Sequence, residues 1–297
     1  MQNAGVDLSN LKTEKKPIGV IRPMEISLGE FNLIRKLIYE RFGINLSDKK
    51  RGFVVSRLQK LLRAEGVTSF KRYYENILQD KSGNSLKQLA SYISTNYTFF
   101  NREHAHFDFF YKTALPAIVQ EMSARNLKDL RVWCAGCSSG EEPYMLAMLM
   151  LEFFGADYPS WNAGVLATDI SEKALKVAMT GVYSDDQVDP VPKMLKAKYF
   201  KRVGKEHWSI SQVVKKEVTY RRFNLMNSDF PFKRAFHIVF CRNVMIYFDK
   251  PTRDSLIRRF YQFTEPGGYF FIGHSESLTR GECPYEYIMP ALYRRTQ

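Results

Sequence analysis

The stretch that decides the fold is Leu130-Arg-Val-Trp-Cys-Ala-Gly-Cys-Ser-Ser-Gly-Glu-Glu142. Its apolar start predicts a buried strand, its middle is a run of small residues, and its two acids open an apolar helix. Strand, small-residue loop and helix in that order make a βα unit, and small side chains let a ligand approach the loop backbone closely. The loop is not a Walker A, because no Gly-Lys-Ser/Thr follows. It is not G-x-G-x-x-G either, because Cys134 and Ser138 stand where glycines would be. Cys134 and Cys137 have C-x-x-C spacing, but half a ligand set without a second pair or a histidine cluster is weak ground for a metal or redox site.

Working outward, Val165-Leu-Ala-Thr168 predicts a second strand ending at Asp169, and Ser171 caps the next helix. Phe236-His-Ile-Val-Phe-Cys241 predicts a third strand and Gly268-Tyr-Phe-Phe-Ile272 a fourth. Strands alternating with helices predict an α/β fold with a doubly wound, Rossmann-like parallel sheet, and ligands of such sheets bind at the carboxyl ends of the strands. Pro190, Pro192 and the short alternating stretches Trp208-Ser-Ile210 and Val218-Thr-Tyr220 interrupt the pattern. They predict a small antiparallel β insertion at about residues 186–222. Upstream the period is helical. Ser27 with Glu30 forms a capping box ahead of Phe31, Ile34, Leu37 and Ile38, and Gly43 stops that helix. Three more helices follow, opened by Ser47, Ser69 and Ser85. The expected organisation is a polar, flexible leader over residues 1–23, an all-α domain over 24–92, a linker and connecting helix over 93–125, and the α/β domain over 126–297.

The 297 residues are 45% hydrophobic and 25% charged, which fits a packed core rather than wholesale disorder. Forty-four Lys and Arg against 31 Asp and Glu give a net charge of +13. Such a field attracts nucleic acid, anionic lipid or an acidic protein surface, and composition does not choose among them. Four cysteines are too few for a disulfide framework in a chain this long. The longest apolar run, residues 145–154, is interrupted by Glu152 and is about half the length that spans a bilayer. The expected setting is the cytoplasm, without direct membrane insertion.

Asp169, ending its strand, is placed to accept hydrogen bonds from both hydroxyls of a ribose, which points to an adenosine-containing ligand. A helix N-terminus can hold pyrophosphate, but Glu141 and Glu142 put two carboxylates there instead. They suggest a cationic ligand group, and the α-ammonium of S-adenosylmethionine is suitable. Phe240-Cys-Arg-Asn-Val-Met-Ile-Tyr247 follows the third strand, where methyltransferases place groups near the transferring methyl. It lacks the Asn/Asp-Pro-Pro-Tyr/Phe tetrapeptide typical of enzymes that methylate DNA base amino groups, so nucleic acid is not the expected partner.

Four segments then carry a resemblance: Thr95-Asn-Tyr-Thr-Phe-Phe-Asn-Arg-Glu103, Trp133-Cys-Ala-Gly-Cys-Ser-Ser-Gly-Glu-Glu-Pro-Tyr144, Phe240-Cys-Arg-Asn-Val-Met-Ile-Tyr-Phe248 and Gly273-His-Ser-Glu276. In their order and spacing the chain resembles the chemotaxis receptor glutamate O-methyltransferases over about residues 25–295. The resemblance implies methyl transfer from S-adenosyl-L-methionine to glutamate side chains of methyl-accepting receptors, leaving S-adenosyl-L-homocysteine, for sensory adaptation. It implies that Asn96, Thr98 and Arg102 contact the cofactor, that Glu141 or Glu142 holds its amino group, and that Asp169 holds its ribose. Asn224 and Leu225 would flank the adenine, Arg242 and Asn243 would line the methionine side, and Tyr247 would sit near the methyl. Arg102 and Tyr247 are the expected catalytic residues.

Asn101 departs from the family's commonest Phe-Phe-Arg pattern; alignment from Asn96 and Thr98 keeps Arg102 in the arginine's place. His104, His106 and His274 read as structural. Lys50, Arg57, Lys60 and Arg63 are expected along one face of the second helix, either as a docking surface for acid-rich receptor helices or as a plain solvated face. The alternatives are an S-adenosylmethionine-dependent methyltransferase of another signalling protein or of RNA, and a non-catalytic cofactor-binding scaffold.

Overall fold

The computed structural model describes residues 24–278 and 283–296, so the leader expected over 1–23 lies outside the described residues. Helix α1 (Leu28–Phe42) begins in the expected capping box. The Ser27 hydroxyl accepts from the Glu30 N–H at 3.2 Å, and the Glu30 carboxylate accepts from the Ser27 N–H at 2.9 Å. A single 3₁₀ turn at Asp48–Lys50 leads into α2 (Arg51–Ala64), followed by α3 (Phe70–Gln79) and α4 (Asn84–Ile93). Phe31, Ile34 and Ile38 of α1, Val54, Leu58 and Leu62 of α2, and Leu89 and Ile93 of α4 share one core. Each set recurs at three- or four-residue spacing, so every helix buries one face. Lys50, Arg57, Lys60 and Arg63 are all exposed. Lys50 belongs to the turn before α2, and its ammonium and the Arg57 guanidinium sit 5.7 and 5.2 Å from the Phe53 ring centre.

The linker leads into α5 (His104–Phe109), which passes through a wider turn at Phe110–Ala114 into α6 (Leu115–Ala124). The expected βα units follow as β1 (Asp129–Ala135), α7 (Glu141–Phe154), β2 (Asn162–Asp169) and α8 (Glu172–Thr180). Next come β3 (Val182–Ser184), α9 (Asp185–Val188), α10 (Lys193–Tyr199), β4 (Phe200–Val203), β5 (His207–Ile210), α11 (Gln212–Lys216) and β6 (Val218–Arg222). The chain closes with β7 (Phe236–Cys241), α12 (Lys250–Gln262), β8 (Thr264–Ile272), β9 (Glu286–Met289) and β10 (Leu292–Arg294).

The main sheet has the order β6-β2-β1-β7-β8-β10-β9. Its first five strands run parallel, and β10 is antiparallel to both neighbours. The chain winds outward from β1 through β2 to β6 and then returns to β7 on the other side of β1. That reversal opens a crevice beyond the carboxyl ends of β1, β2 and β7.

The small antiparallel sheet is β3-β5-β4. Val218-Thr-Tyr220, expected inside it, is instead part of β6 and pairs in parallel with β2 from Val165↔Val218 to Asp169↔Arg222. Val218 and Tyr220 are buried while Thr219 and Arg221 are exposed. An edge strand of a large sheet thus shows the same alternation as a hairpin strand. The strands of the insertion therefore span residues 182–210, not 186–222. The C-terminal strands β9 and β10 also went beyond the four expected.

Candidate active site

The loop after β1 folds back over the end of β2, because the Gly136 and Cys137 amides both donate to the Thr168 carbonyl, at 2.8 and 2.9 Å. The Trp133 indole N–H donates to the Thr168 hydroxyl at 2.9 Å. Gly136 has φ +84°, and a Cβ there would collide with the Val244 side chain. Glycine lets this loop and the loop after β7 meet face to face. Asp169 is buried against them: one carboxylate oxygen accepts from the Ser138 N–H and the other from the Ser171 N–H, each at 2.8 Å. Burial raises its carboxyl above the usual range, and these backbone bonds only partly offset that.

Above these loops lies a cavity of about 1090 Å³ counted out to its open mouth. Asn96, Thr98 and Arg102 line it from the linker, and Asp169 from the end of β2. Asn224 and Leu225 line it from the segment after β6, and Arg242, Asn243 and Tyr247 from the segment after β7. The Asn96 carbonyl accepts from the Ser138 hydroxyl at 3.1 Å, which lays the linker on the loop.

The two acids of α7 part ways. Glu142 lines the cavity and Glu141 does not. Glu141 is fully buried, accepting from the Ser139 hydroxyl at 2.8 Å and from the Gln187 amide at 3.5 Å, and burial pushes its carboxyl up. Consecutive helical residues point about 100° apart, so only one of the pair can face the crevice.

Glu142 joins a buried ionic set. The Arg242 guanidinium donates to it at 2.6 Å and to Glu103 at 3.0 Å. The Cys134 thiol donates to the other Glu142 oxygen at 3.0 Å. Burial works against the charge of Arg242, but Glu142 and Glu103 outweigh it and raise its pKa. Burial likewise opposes ionisation of Glu103, but Arg242 and its other hydrogen bonds outweigh it and hold the carboxyl below its ordinary range. Of this set, Glu142 and Arg242 line the cavity and Glu103 does not. Glu142 is therefore the carboxylate of the set that a cationic ligand group in the cavity can reach.

Glu103, His106 and His274 converge so that their potential ligand atoms lie within 4.8 Å of one another. The Arg242 guanidinium already occupies the Glu103 carboxylate and would repel a metal cation. The His106 ring packs edge-on against Phe271 and His274 instead, at 5.5 and 4.7 Å. Burial lowers its pKa to about 4, so it is neutral at pH 7.

Arg102 stands between two left-handed residues, Asn101 at φ 59° and Glu103 at φ 56°. The unusual Asn101 is a residue type that tolerates this conformation. Just before it, Phe100 is fully buried, edge-on to Tyr183 at 4.8 Å and Phe200 at 5.5 Å. The small sheet thereby pins the linker. The Arg102 guanidinium lies 5.8 Å from the Phe99 ring centre and donates to the Tyr97 carbonyl at 3.2 Å.

Two site residues escaped the sequence reading. Glu103 had no readable role, because its partner Arg242 is 139 residues away in the chain. Glu276 closed a segment that carried the resemblance, but its task was not legible. Its carboxylate accepts from the Gly273, Asn243 and Ile246 amides at 2.6, 2.9 and 3.1 Å, fastening the segment that bears Tyr247.

A mainly parallel sheet with a crevice at the strand reversal, preceded by an all-α unit, defines the class: an α/β protein built to bind a ligand at the carboxyl ends of β1, β2 and β7. Residues 96–291 match the family described as CheR methyltransferase, SAM binding domain, and residues 29–94 match CheR methyltransferase, all-alpha domain. The chain is 41% identical to the chemotaxis protein methyltransferase of Borreliella burgdorferi over 92% of its own length and 96% of the relative's. It is 34% identical to that of Salmonella typhimurium over 86% of each chain, and 32% identical to that of Escherichia coli over 87% of this chain and 88% of the relative. The chain belongs to the CheR methyltransferase family, and its cofactor is S-adenosylmethionine. Among the described residues no helix is long and apolar enough to cross a membrane.

Proposed function

We propose that the protein methylates glutamate side chains of methyl-accepting chemotaxis receptors, forming glutamate methyl esters in the sensory-adaptation step. The observation that carries the reading is the single cavity that brings Glu142 and Asp169 together with Arg102 and Tyr247. Glu142 would take the cofactor's ammonium and Asp169 its ribose hydroxyls. Asn224 and Leu225 would flank the adenine, Arg242 and Asn243 would line the methionine side, and Asn96 and Thr98 would close over it from the linker. When bound, the cofactor supplies an electrophilic methyl on a sulfonium.

The acceptor sets the remaining chemistry. A glutamate side chain, with an ordinary pKa near ~4.3, is already an anion at neutral pH and attacks without a general base. The cavity lining fits that economy: it includes neither His106 nor His274, and its acids are engaged with Arg242 or backbone amides. Arg102 would orient the acceptor carboxylate as it leaves water, and the Tyr247 hydroxyl would donate to one oxygen while the other attacks. Catalysis is then mainly positioning and desolvation. The exposed residues Lys50, Arg57, Lys60 and Arg63 would dock on acid-rich receptor helices.

The test is transfer of tritiated methyl to purified receptor cytoplasmic domains, followed by mild base. Release of the label as methanol supports an ester. A base-stable label, or label on RNA instead, rejects the acceptor, and calorimetric binding of the cofactor without transfer to any acceptor points to a scaffold.

A further inference from the structure

Phe42 and Ile44 belong to the helical unit, yet both line the cavity that Tyr247 lines. The turn that carries them is tied to the methyltransferase domain at several points. Ile44 forms an antiparallel bridge with Phe248, and the Asn45 N–H donates to the Tyr247 carbonyl at 2.8 Å. One helical turn earlier, the Tyr39 hydroxyl donates to Asp249 at 2.8 Å, and Asp249 in turn caps α12 by accepting from the Thr252 N–H at 3.1 Å. The Asn224 amide donates to the Arg41 carbonyl at 2.8 Å. Gly43 makes this approach feasible in two ways. Its φ is +69°, and a Cβ there would collide with the Met226 sulfur.

These contacts converge on one short segment, residues 244–249, where a 3₁₀ turn at Met245–Tyr247 stands outside the sheet. Glu276 fastens the start of that segment, and the α1 turn fastens its end. We infer that the turn after α1 is a positioning element of the methyl-transfer site: it sets the backbone of Tyr247, and Gly43 is the residue that lets it reach. The helical unit then does more than present a docking face, since it completes the wall in which the acceptor is oriented. The inference rests on reading the cavity as a methyl-transfer site.

The experiment compares Gly43→Ala, Tyr39→Phe and the double variant Gly43→Ala/Met226→Ala with the parent in the full chain. The readouts are kcat, KM for receptor, calorimetric cofactor Kd, and melting temperature. The expected result is a kcat about tenfold lower for Gly43→Ala and about threefold lower for Tyr39→Phe, with cofactor Kd within about threefold, because small displacements of a positioned group act on turnover more than on binding. Removing the Met226 side chain from Gly43→Ala restores part of kcat. Tyr39→Phe keeps the question open to refutation if Gly43→Ala does not fold. A folded Tyr39→Phe with kcat at parent level, or losses that follow cofactor Kd alone, overturns the inference with the functional reading intact. A parent that transfers no methyl overturns both.

Discussion

Arg102 sits in a backbone that few residues adopt. Asn101 accepts its left-handed φ cheaply, but Glu103 does so at a cost of roughly 1–3 kcal/mol. The Glu103 carboxylate accepts from Arg242, the Asn243 amide and the His274 N–H, which offsets that cost and holds the linker in place. Arg102 itself is half-buried and lines the cavity. Arg102→Ala is therefore expected to lower kcat by about 10²-fold while shifting the melting temperature by less than about 3 °C; steady-state kinetics beside a thermal scan check it. Arg242→Ala behaves differently. It leaves Glu103 and Glu142 buried without their shared cation, which is expected to cost about 3–5 kcal/mol in urea unfolding. Glu142→Gln is expected to weaken cofactor binding at least about tenfold by calorimetry, through loss of a charge-assisted bond. The choice between Glu141 and Glu142 was not legible from sequence, because two acids in one helical turn look alike until the helix is placed against the sheet.

His106 adds a pH dependence. Its folded pKa of about 4 lies below the ordinary 6.5, chiefly through burial. As pH falls through 6.5 the unfolded chain takes up a proton that the folded chain refuses. Stability from this group therefore declines with acidification until about pH 4, by up to ~1.4 kcal/mol per pH unit. His237, lowered to about 3 by burial, acts in the same direction. His106→Gln is expected to flatten the decline between about pH 6.5 and 4.5 in urea titrations, and an unchanged slope would remove His106 as its source.

At the scale of elements, the strongly patterned pieces were readable. The Ser27–Glu30 capping box, the strand into Cys134 and the acid-led helix each carry a local signal that packing reinforces. β6 was misassigned because alternation reports one buried face without saying which sheet provides it. β9 and β10 gave too little period to be read, at four and three residues. The linker depends on an aromatic contact that no local pattern shows, with Phe100 between Tyr183 and Phe200. Phe100→Ala is expected to destabilise the fold by about 3–5 kcal/mol and to weaken cofactor binding as the linker loosens. Chemical unfolding and calorimetry on the same preparation test both halves.

Across the whole molecule, a net charge of +13 makes association with an acidic partner dependent on salt. If the exposed Lys50, Arg57, Lys60 and Arg63 form the docking face, replacing them with Glu is expected to raise KM for receptor about tenfold and to flatten its salt dependence, leaving cofactor Kd unchanged. Unchanged KM across that series would return the face to ordinary solvation. The central claim is that the acceptor is a glutamate carboxylate, brought beside Arg102 and Tyr247 and methylated as an ester. Tandem mass spectrometry of receptor after reaction with the protein and S-adenosylmethionine tests it most directly. The account predicts an added methyl on glutamate side chains of the receptor's cytoplasmic helices, removed by mild base and accumulating about 10²-fold more slowly with Arg102→Ala. A base-stable methyl on lysine, arginine or RNA, with receptor glutamates unmodified, would contradict it.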